Sequence, residues 1–132
     1  MRYLFDTNVW IDLERGRNAG LVQRASACSR AEVALSTIVL GELLGGAQRS
    51  ADPVRAYRSI ETLVTGIKPV GVDEDVALAY GHLRAHLEGQ GLIIGPNDLW
   101  IAAQALRYEL VLVTANEAEF NRVPSLVVEN WR

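Results

Sequence analysis

Three carboxylates stand at positions where an acid can carry chemistry. Asp6 closes the short apolar run of residues 2–5. Glu42 sits inside Ile38-Val39-Leu40-Gly41-Glu42-Leu43-Leu44-Gly45, and Asp98 follows Gly95-Pro96-Asn97. Each has an ordinary reading beside the functional one. An aspartate ending a strand can simply cap the helix that follows. An acid in the first turn of a helix favours the helix dipole, which would account for Asp98. Glu42 is harder to explain locally, because no Lys or Arg stands one helical turn away at positions 38, 39, 45 or 46. An acid in so apolar a stretch is coordinated to a cation, paired with a distant arginine, or protonated. Taken together, three carboxylates with no lysine nearby point to a hard-cation site. Magnesium and manganese prefer oxygen ligands, and such ions acidify water and neutralise a phosphoryl group under attack. No serine or cysteine stands in a setting that suits a nucleophile.

These acids have to be positioned by a fold, and its elements are legible. Residues 2–5 and 32–36 read as buried strands, 67–72 as a third, 110–114 as the clearest strand and 126–129 as a weaker last one. Helices are expected from residue 9, over 19–28, from a Ser36 or Thr37 cap through Glu42 towards Gln48, and from Pro53 through Val64. A longer helix runs over about 73–88, with Val76, Tyr80, Leu83 and Leu87 as its apolar stripe. Gly89, Gly91 and Gly95 mark the loop after it, and Pro96 opens an alanine-rich helix to Arg107. Strands alternating with helices imply an α/β fold with a central, mainly parallel sheet flanked by helices. Ligands in such folds sit beyond the carboxyl ends of the strands. Asp6, Glu42 and Asn116 all fall after strands, so one rim is expected to collect them.

The bulk numbers agree with a single domain over residues 1–132. Hydrophobic residues make up 49% and charged residues 22%, enough to bury one core. No apolar run reaches the roughly 20 residues of a membrane helix, and the first residues meet a charge too early for a signal peptide, so a cytoplasmic protein is expected. Cys28 stands alone, which excludes an internal disulfide and a cysteine-based zinc site. The net charge of −3 argues against a simple nucleic-acid-coating protein. Yet all the basic residues except Lys68 are arginine, whose planar fork suits phosphate.

The motifs also carry a family resemblance. Phe5-Asp6-Thr7-Asn8-Val9-Trp10-Ile11-Asp12 resembles the opening signature of PIN domains, and Leu40-Gly41-Glu42-Leu43 their second acidic site. Ile94-Gly95-Pro96-Asn97-Asp98-Leu99-Trp100-Ile101-Ala102-Ala103 resembles the third. Val113-Thr114-Ala115-Asn116 with Glu119-Phe120 and Val123-Pro124 resembles the fourth. Each motif alone is weak, and the ordered set spans almost the whole chain. The compact size and the Thr-x-Asn-x-x-Glu-Phe ending look most like VapC toxins of bacterial toxin–antitoxin pairs.

The resemblance implies a three-layer PIN-like fold and an endoribonuclease dependent on Mg2+ or Mn2+. It implies a homodimer held inactive by a small VapB-like antitoxin, with structured RNA, transfer RNA among it, as substrate. Asp6, Asp98 and Glu42 are then the metal-holding residues, and Thr7, Asn8 and Thr114 orient carboxylates or water. Many PIN domains carry Asp where this chain has Asn116. Glu119 matches an acid of some VapC toxins, and a helical turn over 116–119 would bring both side chains to one face. Two other readings stay open. A PIN-fold module that binds RNA or protein without cutting fits the neutral Asn116. A haloacid-dehalogenase-type phosphatase also places an aspartate after its first strand, but it wants a second acid where Asn8 stands and a lysine, for which Lys68 is the only candidate. His82 and His86, one helical turn apart, lack the glutamate of a zinc protease pair and read as a helix flank.

Overall fold

The computed structural model describes all of residues 1–132. Its sheet has five strands: β1 (Tyr3–Phe5), β2 (Val33–Ser36), β3 (Lys68–Val70), β4 (Val111–Val113) and β5 (Val128–Glu129). They lie in the order β3-β2-β1-β4-β5, and every pairing is parallel. Helices flank this sheet to give the three-layer α/β arrangement. They are α1 (Thr7–Glu14), α2 (Ala19–Ser26), α3 (Thr37–Gln48), α4 (Pro53–Val64), α5 (Glu74–Gly89), α6 (Pro96–Arg107) and the single turn α7 (Glu117–Phe120).

Burial follows position in the sheet. All residues of β1 and β2 are buried, as strands covered on both faces must be. The edge strand β3 is exposed at Lys68 and Pro69. Proline is tolerated there because an edge strand has no second neighbour to donate to. One continuous cluster of 27 buried residues forms the core, with Leu4, Leu35, Val39, Ile101 and Leu112 near its centre. Truncating one of these to Ala costs about 2–5 kcal/mol by the usual core scale.

The elements start where their capping residues say they should. Ser36 Oγ accepts from the Ile38 and Val39 N–H groups at 3.1 and 3.3 Å, opening α3. Asp73 caps α5 through Val76 N–H, and Pro53 and Pro96 each open a helix. The long helix extends one residue beyond the expected end, through Gly89, and the turn is made at Gly91, with φ +68. Helix α1 begins at Thr7, two residues earlier than its apolar residues suggest, because Asp6 caps it.

A buried network ties three elements together. Gln104, on α6 and 0% exposed, accepts from Ser36 Oγ at 2.6 Å. Its Nε2 donates to the Val70 and Gly71 carbonyls, both at 3.0 Å. This amide therefore has both ends satisfied in a dry interior. It fixes the helix that carries Asp98 against the start of the helix that carries Glu42.

Candidate active site

The order in which strands are added switches side at β1, since β2 and β3 lie on one side of it and β4 and β5 on the other. The crevice beyond the carboxyl ends of β1 and β4 is where such sheets take ligands. Asp6 leaves β1 and Thr114 leaves β4 at that place. Asp6 is 7% exposed, and both of its oxygens are held. Oδ1 accepts from the Thr7 N–H at 2.8 Å and Oδ2 from the Thr114 hydroxyl at 2.8 Å. Asp6 thus caps α1, as the ordinary reading has it, and is also anchored across the sheet. Burial pushes its carboxyl above the usual carboxylate range, opposed by the two hydrogen bonds.

Asp98, in the first turn of α6, is perturbed further. Burial is the main cause, and the charges of Asp6, Glu119 and Glu42 add to it, so its pKa is raised from 3.8 to about 7. A hydrogen bond to Glu119, which Asp98 can donate only while protonated, works in the same direction. Glu119 answers oppositely. Burial pushes it up, but hydrogen bonds from the Gly95 N–H, Asn116 and Asp98 outweigh that, and its pKa is lowered. Of the two, Asp98 is the one that takes up a proton more readily.

Glu119 reaches the cluster from α7. Its Oε1 accepts from Gly95 N–H at 2.8 Å and its Oε2 from Asn116 Nδ2 at 2.6 Å. A carboxylate only accepts, so the Asn116 amide nitrogen must face it. Asn116 is therefore an orienting group for Glu119, and the neutral residue leaves the site with four acids nonetheless. A Cβ added at Gly95 would lie 3.7 Å from both Asp98 Oδ2 and Glu119 Oε1, which shows how closely the two acids flank this glycine.

Glu42 is only half-buried, contrary to the expectation raised by its apolar surroundings. The α3 face it occupies opens towards solvent, and no arginine pairs with it. Its partner is the Thr7 hydroxyl, 3.0 Å from Oε1. Thr7 thus links Glu42 and Asp6, with its hydroxyl on one and its N–H on the other. Asn8, the next residue of α1, is exposed, and its side chain makes no hydrogen bond to the cluster.

The other candidates separate as cleanly. His82 and His86 are both exposed on α5. Lys68 opens the edge strand β3, two strands away from β1 and level with Leu4 rather than Asp6, and it is exposed. A phosphatase site built on Asp6, Asn8 and Lys68 does not assemble. Gln104 and Arg122 escaped the sequence reading. A lone Gln inside Ile101-Ala102-Ala103-Gln104-Ala105-Leu106 was the available signal for the first.

The donor set suits a hard divalent cation. It consists of carboxylate oxygens only, and no salt bridge reaches any of the four acids. No group of three or more His, Cys, Asp or Glu side chains forms a tight preformed cage. Magnesium does not require one, since it keeps several waters and takes one or two carboxylates directly. Burial and the neighbouring acids together raise Asp98, and a bound cation would offset both.

Residues 3–126 match the family model described as the PIN domain. The chain is 36% identical over 132 residues to ribonuclease VapC1 of Haemophilus influenzae, covering 99% of this chain and 98% of the relative. It is 34% identical over 131 residues to the tRNA(fMet)-specific endonuclease VapC of Shigella flexneri, with the same coverage. The crystal structure of VapBC2 from Rickettsia felis bound to a promoter DNA fragment superposes with a TM-score of 0.92 and 31% identity, over 100% of both chains.

Proposed function

The chain belongs to the PIN domain family, and from that premise we propose that residues 1–132 form one domain, a divalent-metal-dependent endoribonuclease of the VapC toxin type. The single observation that carries this reading is the acid cluster at the carboxyl rim of the sheet, where Asp98 is raised to about 7 with three other carboxylates acting on it.

Asp6, Asp98 and Glu42 hold the ion, Mg2+ or Mn2+, with Glu119 as the fourth acid. When bound, such an ion supplies positive charge to phosphoryl oxygens and acidifies water. Asp6 provides a rigid oxygen donor, because Thr7 and Thr114 fix both of its oxygens. Glu42 is steered by one hydroxyl and keeps freedom to adjust. Glu119 is aimed by Gly95 and Asn116. The reaction is hydrolysis of a phosphodiester in RNA: water oxygen bonds to phosphorus as the bond to the 3′ oxygen breaks. The relative from Shigella flexneri is named for a transfer RNA, which makes transfer RNA the first substrate to try.

A VapB-like antitoxin silences the enzyme on this reading, and the active form is a homodimer. A groove of about 370 Å³ between α1, α3 and α4 is lined by Trp10, Ile11, Leu43, Ala47 and Ile60 and runs to Glu42. The Trp10 Nε1 donor is buried without a partner there. An antitoxin segment laying apolar side chains in this groove can deliver an Arg or Lys to the carboxylates. No helix is long and apolar enough to cross a membrane. Against the silent-module reading, which rested on Asn116, stands Glu119, a fourth acid held beside Gly95.

The test is transfer RNA incubated with the purified protein and Mg2+ or Mn2+, with and without excess chelator, and then with the antitoxin. Cleavage that needs metal and stops with the antitoxin is expected. Full cleavage in chelator would overturn the mechanism.

A further inference from the structure

An acid cluster that must admit a polyanion needs positive charge at its margin. Four of the arginines, Arg24, Arg84, Arg107 and Arg132, are spent in ion pairs. Arg122 is in none. It is exposed, and the one hydrogen bond of its side chain runs from Nη1 to the Ile93 carbonyl at 2.8 Å. Ile93 lies two residues ahead of Gly95, whose N–H holds Glu119. The guanidinium is thereby tethered to the loop that enters the cluster. Its charge reaches Glu119, while no positive group is among the leading influences on Asp6 or Asp98. Arginine carries five N–H donors in a planar fork, and only one is engaged here. Tethering at one nitrogen removes much of the conformational freedom that an arginine otherwise loses on gripping a ligand.

We propose that Arg122 is an RNA-binding residue, gripping a backbone phosphate next to the one that is cut. This rests on the ribonuclease reading above and goes beyond it by naming the residue that offsets the acids. The remaining fork donors suit two oxygens of one phosphate. An RNA strand drawn across the cluster brings such a phosphate past this margin at every nucleotide.

The test uses Asp98→Asn protein, expected to cut at least about 100-fold more slowly so that binding can be read before cleavage, with labelled transfer RNA and Mg2+ over a monovalent salt series. Arg122→Gln is expected to weaken binding about fivefold at low salt and to reduce the slope of log K against log salt by about 0.7, the loss of one phosphate contact. Arg122→Lys keeps the charge and should keep the slope. In protein that retains Asp98, Arg122→Gln should act on KM more than on kcat. If Arg122 only braces the Ile93 loop, Gln and Lys variants will both lower Tm and kcat while the salt slope stays at the parent value, and the proposal is overturned. Failure of the unsubstituted protein to bind or cut RNA would instead bring down the ribonuclease reading, and this proposal with it.

Discussion

Asp6 and Asp12 lie on the same short stretch of chain, and each is 7% exposed. Their surroundings are opposite. Asp12 is met by the guanidinium of Arg132, 120 residues away, in a corner where Arg24 also pairs with Glu129 and lies over the Trp131 ring. Asp6 has two neutral donors and the acids Asp98 and Glu119 for neighbours. One region answers its buried acids with arginine, and the other concentrates acids without a cation. Equal burial therefore has two meanings. At Asp12 the fold gains a tie for its last residues, and at Asp6 it keeps a charge deficit that a ligand can fill.

The largest effect expected from this contrast is catalytic. Asp6→Asn or Asp98→Asn should each lower kcat/KM for RNA cleavage by at least 100-fold, about 2.7 kcal/mol of transition-state stabilisation. Asp12→Asn should lower stability by about 1 kcal/mol, since its partner Arg132 can return to water, and leave cleavage per folded molecule close to the parent rate. Chemical denaturation beside steady-state kinetics checks both. A 100-fold catalytic loss from Asp12→Asn would erase the distinction.

Glu119 sharpens the comparison from inside the acid cluster. Glu119→Gln should lower kcat/KM at least tenfold, about 1.4 kcal/mol, and raise the metal concentration needed. Asn116→Ala should cost less, because the Gly95 N–H still holds one oxygen of Glu119. A magnesium titration of cleavage reads both. If Glu119→Gln matches the parent throughout, the cluster has three working acids.

A smaller effect lies in stability against pH. Asp98 is raised in the folded protein, so the folded state holds a proton that the unfolded chain releases near 3.8. Without metal, the stability this contributes is fully present below about pH 3.8 and is lost as pH rises to about 7. Melting temperature should therefore fall across that window in chelator. Asp98→Asn should flatten the fall and melt a few degrees higher at neutral pH, while abolishing the rise caused by added metal. Asp12→Asn should leave the slope intact. A metal-free Asp98→Asn protein that melts lower than the parent at neutral pH would make Asp98 a structural helix-start residue.

Much of this molecule can be read along the chain. Strands β1, β2 and β4 are short apolar runs, helices α3, α4, α5 and α6 open at Ser36, Pro53, Asp73 and Pro96, and alternation of strands with helices favours parallel pairing. Asp6 could be placed on the carboxyl rim because its position depends only on the strand before it. The rest needed the third dimension, because it depends on which way side chains turn between elements far apart in sequence. Glu42 proved half-exposed because the open face of α3, invisible to hydrophobic counting, decides its solvation. Asn116 and Glu119 do share a helical turn, yet it took Gly95, 24 residues from Glu119, to fix where that carboxylate points. Asp6 and Asp12 look alike in sequence. Only the return of Arg132 across 120 residues makes one of them a paired structural acid, while the other meets neutral donors and further acids in the crevice.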